Sequence, residues 1–183
     1  MKRIVIASDH GGFALKEKLK PYLERMGLKV KDLGTCSPQR CDFPKFAFAL
    51  AKEISSGRYK MGVLICRSGI GNSIVANRVP GVRAALCHNV RVAKLSREHN
   101  DSNVLALGAD FVNAALAKKI LKALGSSSPG AIDPIRRRAQ RHGPRAKLDP
   151  RQRPGRTLAA QWAGLWRSFR WGWKCLEHPP WSL

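Results

Sequence analysis

The chain is predicted to be an α/β protein with a five-stranded parallel sheet covered by helices. Two observations lead there: short β-branched or apolar runs alternate with longer helix-like stretches up to residue 124, and polar, glycine-containing groups follow several of the short runs. The first strand is placed at residues 3–8, running into Ser8, Asp9, His10, Gly11 and Gly12 and then a helix over 12–26. A second strand at 29–33 leads through Cys41, Asp42, Phe43 and Pro44 to a helix over 46–56. The third, at 61–66, is a buried-strand pattern that ends in a thiol, passes through the small-residue turn Ser68, Gly69, Ile70, Gly71, and enters a helix over 71–78. A strand at 84–87 with a helix over 90–98, then a strand at 104–107 with a helix over 113–124, complete the set.

Composition divides the chain near Gly125. The whole sequence has 183 residues, and its 34 Lys plus Arg against 12 Asp plus Glu give a net charge of +22. Residues 126–183 hold 12 basic and 3 acidic residues, all five tryptophans and seven of the eleven prolines. A catalytic domain at 1–125 and a basic, Pro/Arg/Trp-rich tail at 126–183 are therefore expected. No apolar run approaches the roughly 20 residues needed to span a bilayer, and Met1 leads directly into a strand pattern, so a cytoplasmic protein with no membrane partner is expected. Five cysteines without C-x-x-C spacing or a His/Cys cluster indicate neither a disulfide framework nor a metal site.

In an open parallel sheet the ligand site lies beyond the carboxyl ends of the strands. Four polar groups are placed at such ends: 8–12, 41–44, 66–71 and 97–101. The 66–71 group is the most specific of them. A glycine turn at the start of a helix offers unpaired backbone N–H groups and the positive end of the helix dipole, which suit an anion or a developing oxyanion. A helix N-terminus also lowers a thiol pKa from its ordinary value of roughly 8.5, which would make Cys66 a base. A buried inert cysteine followed by a structural turn would leave the same residues. Gly69 and Gly71 lack the Gly-x-Gly-x-x-Gly pattern with its acidic partner and the lysine of a P-loop, so nucleotide chemistry is disfavoured. Asp9 and His10 suit either a ligand contact or a plain helix cap. His99 suits acid–base work near neutrality, and Asn100 suits an oxyanion donor, yet both also suit a helix C-terminus.

Taken in order, these motifs resemble the ribose-5-phosphate isomerase type B family, which includes the galactose-6-phosphate isomerase subunits. The carriers are Ser8-Asp9-His10-Gly11-Gly12-Phe13, Asp32-Leu33-Gly34-Thr35, Asp42-Phe43-Pro44, Ile65 to Ser73, Ala76-Asn77-Arg78, Arg83 to Cys87, and Arg97 to Ala106. The resemblance covers residues 1 to about 124. It implies a three-layer α/β/α, Rossmann-like fold and an aldose–ketose isomerase that needs no cofactor and no metal, acting on a phosphorylated pentose or hexose through an enediolate. It implies Cys66 as the base, His99 as the ring-opening acid/base, and a catalytic hydroxyl at Ser68. Substrate contacts are implied at Asp9, His10 and Asn100, with the enediolate oxygens held by the backbone of 67–71, Gly69, Ile70 and Gly71 included. A homodimer or homotetramer is implied as well, because family sites are completed across subunits.

Three departures bear on phosphate. Arg67 stands where the family usually has glycine, Asp110 where it has an arginine, and the family's arginine-bearing C-terminal segment is not recognisable after Leu124. Phe43 also replaces the family's tyrosine. Arg67 is expected to supply positive charge or to pair with Asp110, and Arg137, or its neighbours Arg136, Arg138 and Arg141, to reach a site. A catalytically weak sugar-phosphate-binding subunit that needs a partner is the competing expectation. Ser126 to Gly130 suit a flexible joint, 131–156 a disordered stretch, and 157–175 an amphipathic helix. Such a tail suits nucleic acid or an anionic membrane surface, or else is a non-native extension.

Overall fold

The computed structural model describes residues 2–127. The expectations for Arg136, Arg137, Arg138 and Arg141, for the joint beyond Ser127 and for the stretches 131–156 and 157–175 lie outside the described residues.

Five strands and five helices alternate: β1 (Lys2–Ser8), α1 (Phe13–Arg25), β2 (Leu28–Asp32), α2 (Phe43–Ser55), β3 (Gly62–Cys66), α3 (Ile70–Asn77), β4 (Ala84–Leu86), α4 (Val90–Asn100), β5 (Val104–Gly108) and α5 (Ala114–Ser126). The strands pair in the order β2-β1-β3-β5-β4, all parallel. This is the expected three-layer α/β/α architecture, and the reason is visible in the strands. β3 (GVLIC) and β5 (VLALG) are buried along their whole length, so both faces need apolar side chains. β2 (LKVKD) lies at an edge and alternates, with Lys29 and Lys31 exposed where unpaired backbone needs protection from other chains.

Two apolar clusters cover the sheet. On one face Ile4, Ile6, Val63, Ile65, Leu105 and Leu107 pack against Leu15, Leu19 and Leu23 of α1, Ala93 of α4 and Ile120 and Leu124 of α5. Val5, Ala7, Leu64 and Val104 point the other way, to Leu50 and Ile54 of α2 and Ala76 of α3. Among the described residues no helix is long and apolar enough to cross a membrane.

Two differences from the expected bounds bear on the site. α2 begins at Phe43, three residues early, because Pro44 occupies its first turn, where a missing N–H costs nothing and the fixed φ favours the helix. α4 continues to Asn100 and is capped by Asp101 in the left-handed conformation at φ 47°. His99 and Asn100 are thus helical.

The larger correction concerns where the 97–101 group lies. It immediately precedes β5, and Ser102 and Asn103 are tied to Ser96 and Arg83, so it sits at the amino edge of the sheet. Cys66, paired with Gly108, is at the carboxyl edge. From the Gly62–Val104 pair to the Cys66–Gly108 pair is four steps of roughly 3.3 Å, or about 13 Å along the strands.

Candidate active site

The strand order reverses direction at β1: the chain passes outward to β2, then crosses back to β3 on the other side. Crevices form where loops diverge at such a point. Here the diverging loops are 9–12 after β1 and 66–69 after β3, held side by side by the Ser8–Ile65 register.

Glycine permits their close approach. A Cβ on Gly12 would run into the Ile65 carbonyl, so α1 could not begin so near the end of β3 with any other residue. Asp9 is buried, and its Oδ1 accepts the Gly12 N–H at 3.0 Å, which fixes the turn. His10 lies beside the loop before α2: its Nδ1 accepts the Cys41 N–H at 3.3 Å, so the ring's proton is on Nε2. Cys41, Cys66 and Cys87 are free thiols.

Cys66 is only 6% exposed, and its Sγ accepts the Gly69 N–H at 3.0 Å. Burial pushes the thiol above its ordinary pKa, and the negative charge of Asp9 adds to that; backbone N–H groups of Asn72, Gly69 and Ser68 pull the other way. The expected lowering by the helix terminus is therefore present but outweighed, because desolvation of the thiolate is the largest influence. Gly69 makes the turn possible. It has φ +80°, and a Cβ there would meet Leu107 and Gly108 backbone at 3.0 and 3.1 Å.

The N–H groups of the turn divide their work differently from expectation. Gly69, Ser68 and Asn72 serve the sulfur, and Ile70 N–H donates to Ser68 Oγ at 3.3 Å. Gly71 N–H has no protein acceptor among the described residues. The turn's donors thus converge first on the Cys66 sulfur. Gly71 in turn backs onto the Phe43 ring, where a Cβ would sit 2.8 Å from the ring carbons.

Arg67 pairs with Asp110, Nε to Oδ2 at 3.0 Å, one of the two expected arrangements. The loop after β5 is also zipped to this turn by Ala109 N–H to Cys66 O at 2.8 Å and Asp110 N–H to Arg67 O at 3.0 Å. The structure thus gathers Asp9, His10, Cys66, Arg67, Ser68, Gly69, Ile70 and Gly71 at one edge. It does not bring His99 or Asn100 to them; both are exposed at the other edge.

Sequence reasoning missed Asn72. It is fully buried in the first turn of α3, and neither its Nδ2 nor its Oδ1 has a hydrogen-bond partner; Ser8 Oγ shares that condition. No sequence signal marks Asn72 apart from its place three residues after Gly69. Among the described residues no group of three or more His, Cys, Asp or Glu could hold a metal ion.

A parallel α/β domain with a thiol in an N–H cradle at its switch point belongs to a class equipped to move a proton and hold an oxyanion. The comparisons narrow the class. A Ribose/Galactose Isomerase family model matches residues 4–139. Ribose-5-phosphate isomerase B of Escherichia coli is 44% identical over 131 residues, covering 71% of this chain and 88% of that protein. D-erythrulose-4-phosphate isomerase of Pectobacterium atrosepticum is 39% identical over 124 residues, covering 67% and 82%. The crystal structure of a ribose 5-phosphate isomerase from Thermotoga maritima aligns with a TM-score of 0.74 at 40% identity, covering 76% of this chain and 97% of that one. The chain belongs to the ribose/galactose isomerase family. Its match extends past residue 124, where the sequence reading stopped, and takes in Arg136, Arg137 and Arg138.

Proposed function

We propose that the protein is an aldose–ketose isomerase of a phosphorylated sugar, ribose 5-phosphate or a close relative, working in the cytoplasm. The observation that carries this reading is Cys66, a buried thiol ringed by backbone N–H donors beside Asp9 and His10. The Cys66 thiolate takes the proton from C2 of the open-chain aldose, and the C2–H electron pair moves into an enediolate. Gly71 N–H, the turn donor not engaged by the sulfur or by Ser68 Oγ, donates to the enediolate oxygens. Ser68 Oγ carries a proton between O2 and O1, and Cys66 returns its proton to C1 to give the ketose. Each N–H that meets developing charge in this way contributes roughly 3 kcal/mol. Asp9 and His10 bind the sugar hydroxyls.

His99 opens the sugar ring and Asn100 supports it, but from a second copy of the chain. In one protomer they precede Val104, the first residue of β5, which itself lies about 13 Å along the strands from Cys66, on the opposite edge of the sheet. A two-fold dimer brings the amino edge of one sheet to the carboxyl edge of the other. Arg137 of the matched segment belongs with the phosphate ligands.

The test is hydrogen exchange from C2 of ribose 5-phosphate. Cys66→Ala is expected to abolish it, and survival of exchange would show that another group is the base. Mixing and refolding two inactive variants, Cys66→Ala and His99→Ala, is expected to restore about a quarter of wild-type activity, since half the dimers are mixed and each has one intact site. No recovery would place both groups in one protomer. Saturable sugar-phosphate binding without turnover would instead favour a binding subunit that needs a partner.

A further inference from the structure

The stem of Arg67 lies against Gly11, where a Cβ would run into Arg67 Cγ, and its Nε reaches Asp110. One side chain, on the residue next to Cys66, thus links the loops after β1, β3 and β5. Both partners are open to solvent, the Arg67 side chain 72% and that of Asp110 45% exposed. An exposed pair of this kind is weak, because solvent and salt screen it. A phosphate monoester carries roughly twice the charge of a carboxylate and three strong acceptor oxygens. Arg67 is therefore held where an arriving phosphate can take it.

We infer that Arg67 is a specificity-determining ligand for the substrate's phosphate and that Asp110 holds it in reserve, giving it up when the sugar phosphate enters. This rests on the sugar-phosphate reading above. In the empty site the carboxylate keeps the guanidinium extended across the crevice and sets a threshold that weaker anions do not pass. In the filled site the guanidinium turns to the phosphate, and Asp110 is left to solvent, which its exposure permits.

The proposal predicts opposite signs for its two residues. KM for ribose 5-phosphate and the competitive inhibition constant of inorganic phosphate are measured on the full-length chain as wild type, Arg67→Met and Asp110→Asn. Arg67→Met is expected to raise both constants about tenfold, the loss of one charge-assisted hydrogen bond, with KM affected more than kcat. Asp110→Asn is expected to lower both several-fold. A strap that only ties the loops together would make the two variants shift in the same direction, and that result, or an unmoved phosphate constant in Arg67→Met, overturns the proposal. A wild-type protein that turns over no sugar phosphate would instead remove the functional reading, and phosphate binding by calorimetry would still decide the role of Arg67.

Discussion

As the proposed base, Cys66 combines two requirements that oppose each other. In that role it must be dry enough for its thiolate to be a strong base, and it must still ionise. Burial raises its pKa above the ordinary thiol range, and the N–H groups of Asn72, Gly69 and Ser68 limit the rise. Because the active form is the thiolate, kcat/KM is expected to climb with pH through neutrality and to level off only above pH 9, with alkylation of the thiol by iodoacetamide following the same curve. A plateau near pH 7 would mean that the donors win. Gly69→Ala forces a side chain into φ +80° against Leu107 and Gly108, and is expected to cost about 2 kcal/mol or more in urea denaturation and to remove activity. Asn72→Leu relieves two unpaired polar atoms and is expected to raise stability by about 1–2 kcal/mol in the same experiment. Cys66, Gly69 and His10 were legible in the sequence because strand, turn and residue type coincide there. Asn72 was not, since its burial depends on how α3 docks.

At the scale of elements, the segment between β2 and α2 is held by a buried lysine. Lys16 Nζ of α1 bonds Asp32 Oδ2 at 2.5 Å and Thr35 O at 2.9 Å, and Asp32 also accepts the Gly34 N–H at 2.9 Å. The same loop places Cys41 against His10. Lys16→Met leaves Asp32 with Lys20 at 3.0 Å, whereas Asp32→Ala strips both the lysine pair and the Gly34 bond. Asp32→Ala is therefore expected to destabilise more than Lys16→Met, by differential calorimetry, and the reverse order would refute the assignment. Element identities followed from the sequence because the burial of β3 and β5 requires unbroken apolar runs. The 97–101 group was misplaced for a topological reason: it touches a strand in sequence, but a helix that follows a parallel strand returns the chain to the amino edge before the next strand begins.

At the scale of the whole molecule, a proposed site that draws its thiol from one copy and its imidazole from another ties function to assembly. The resemblance already implied sites completed across subunits, but nothing in the local sequence around His99 reveals which edge it will occupy; that came from the strand order. If the proposed site is shared in this way, the separation of Cys66 from His99 across the sheet also shapes the rate law. A lone protomer would be silent, so catalytic output would depend on the protein's own abundance. Below the dissociation constant of the pair, rate would rise with the square of protein concentration, and serial dilution into saturating substrate would show specific activity falling rather than staying constant.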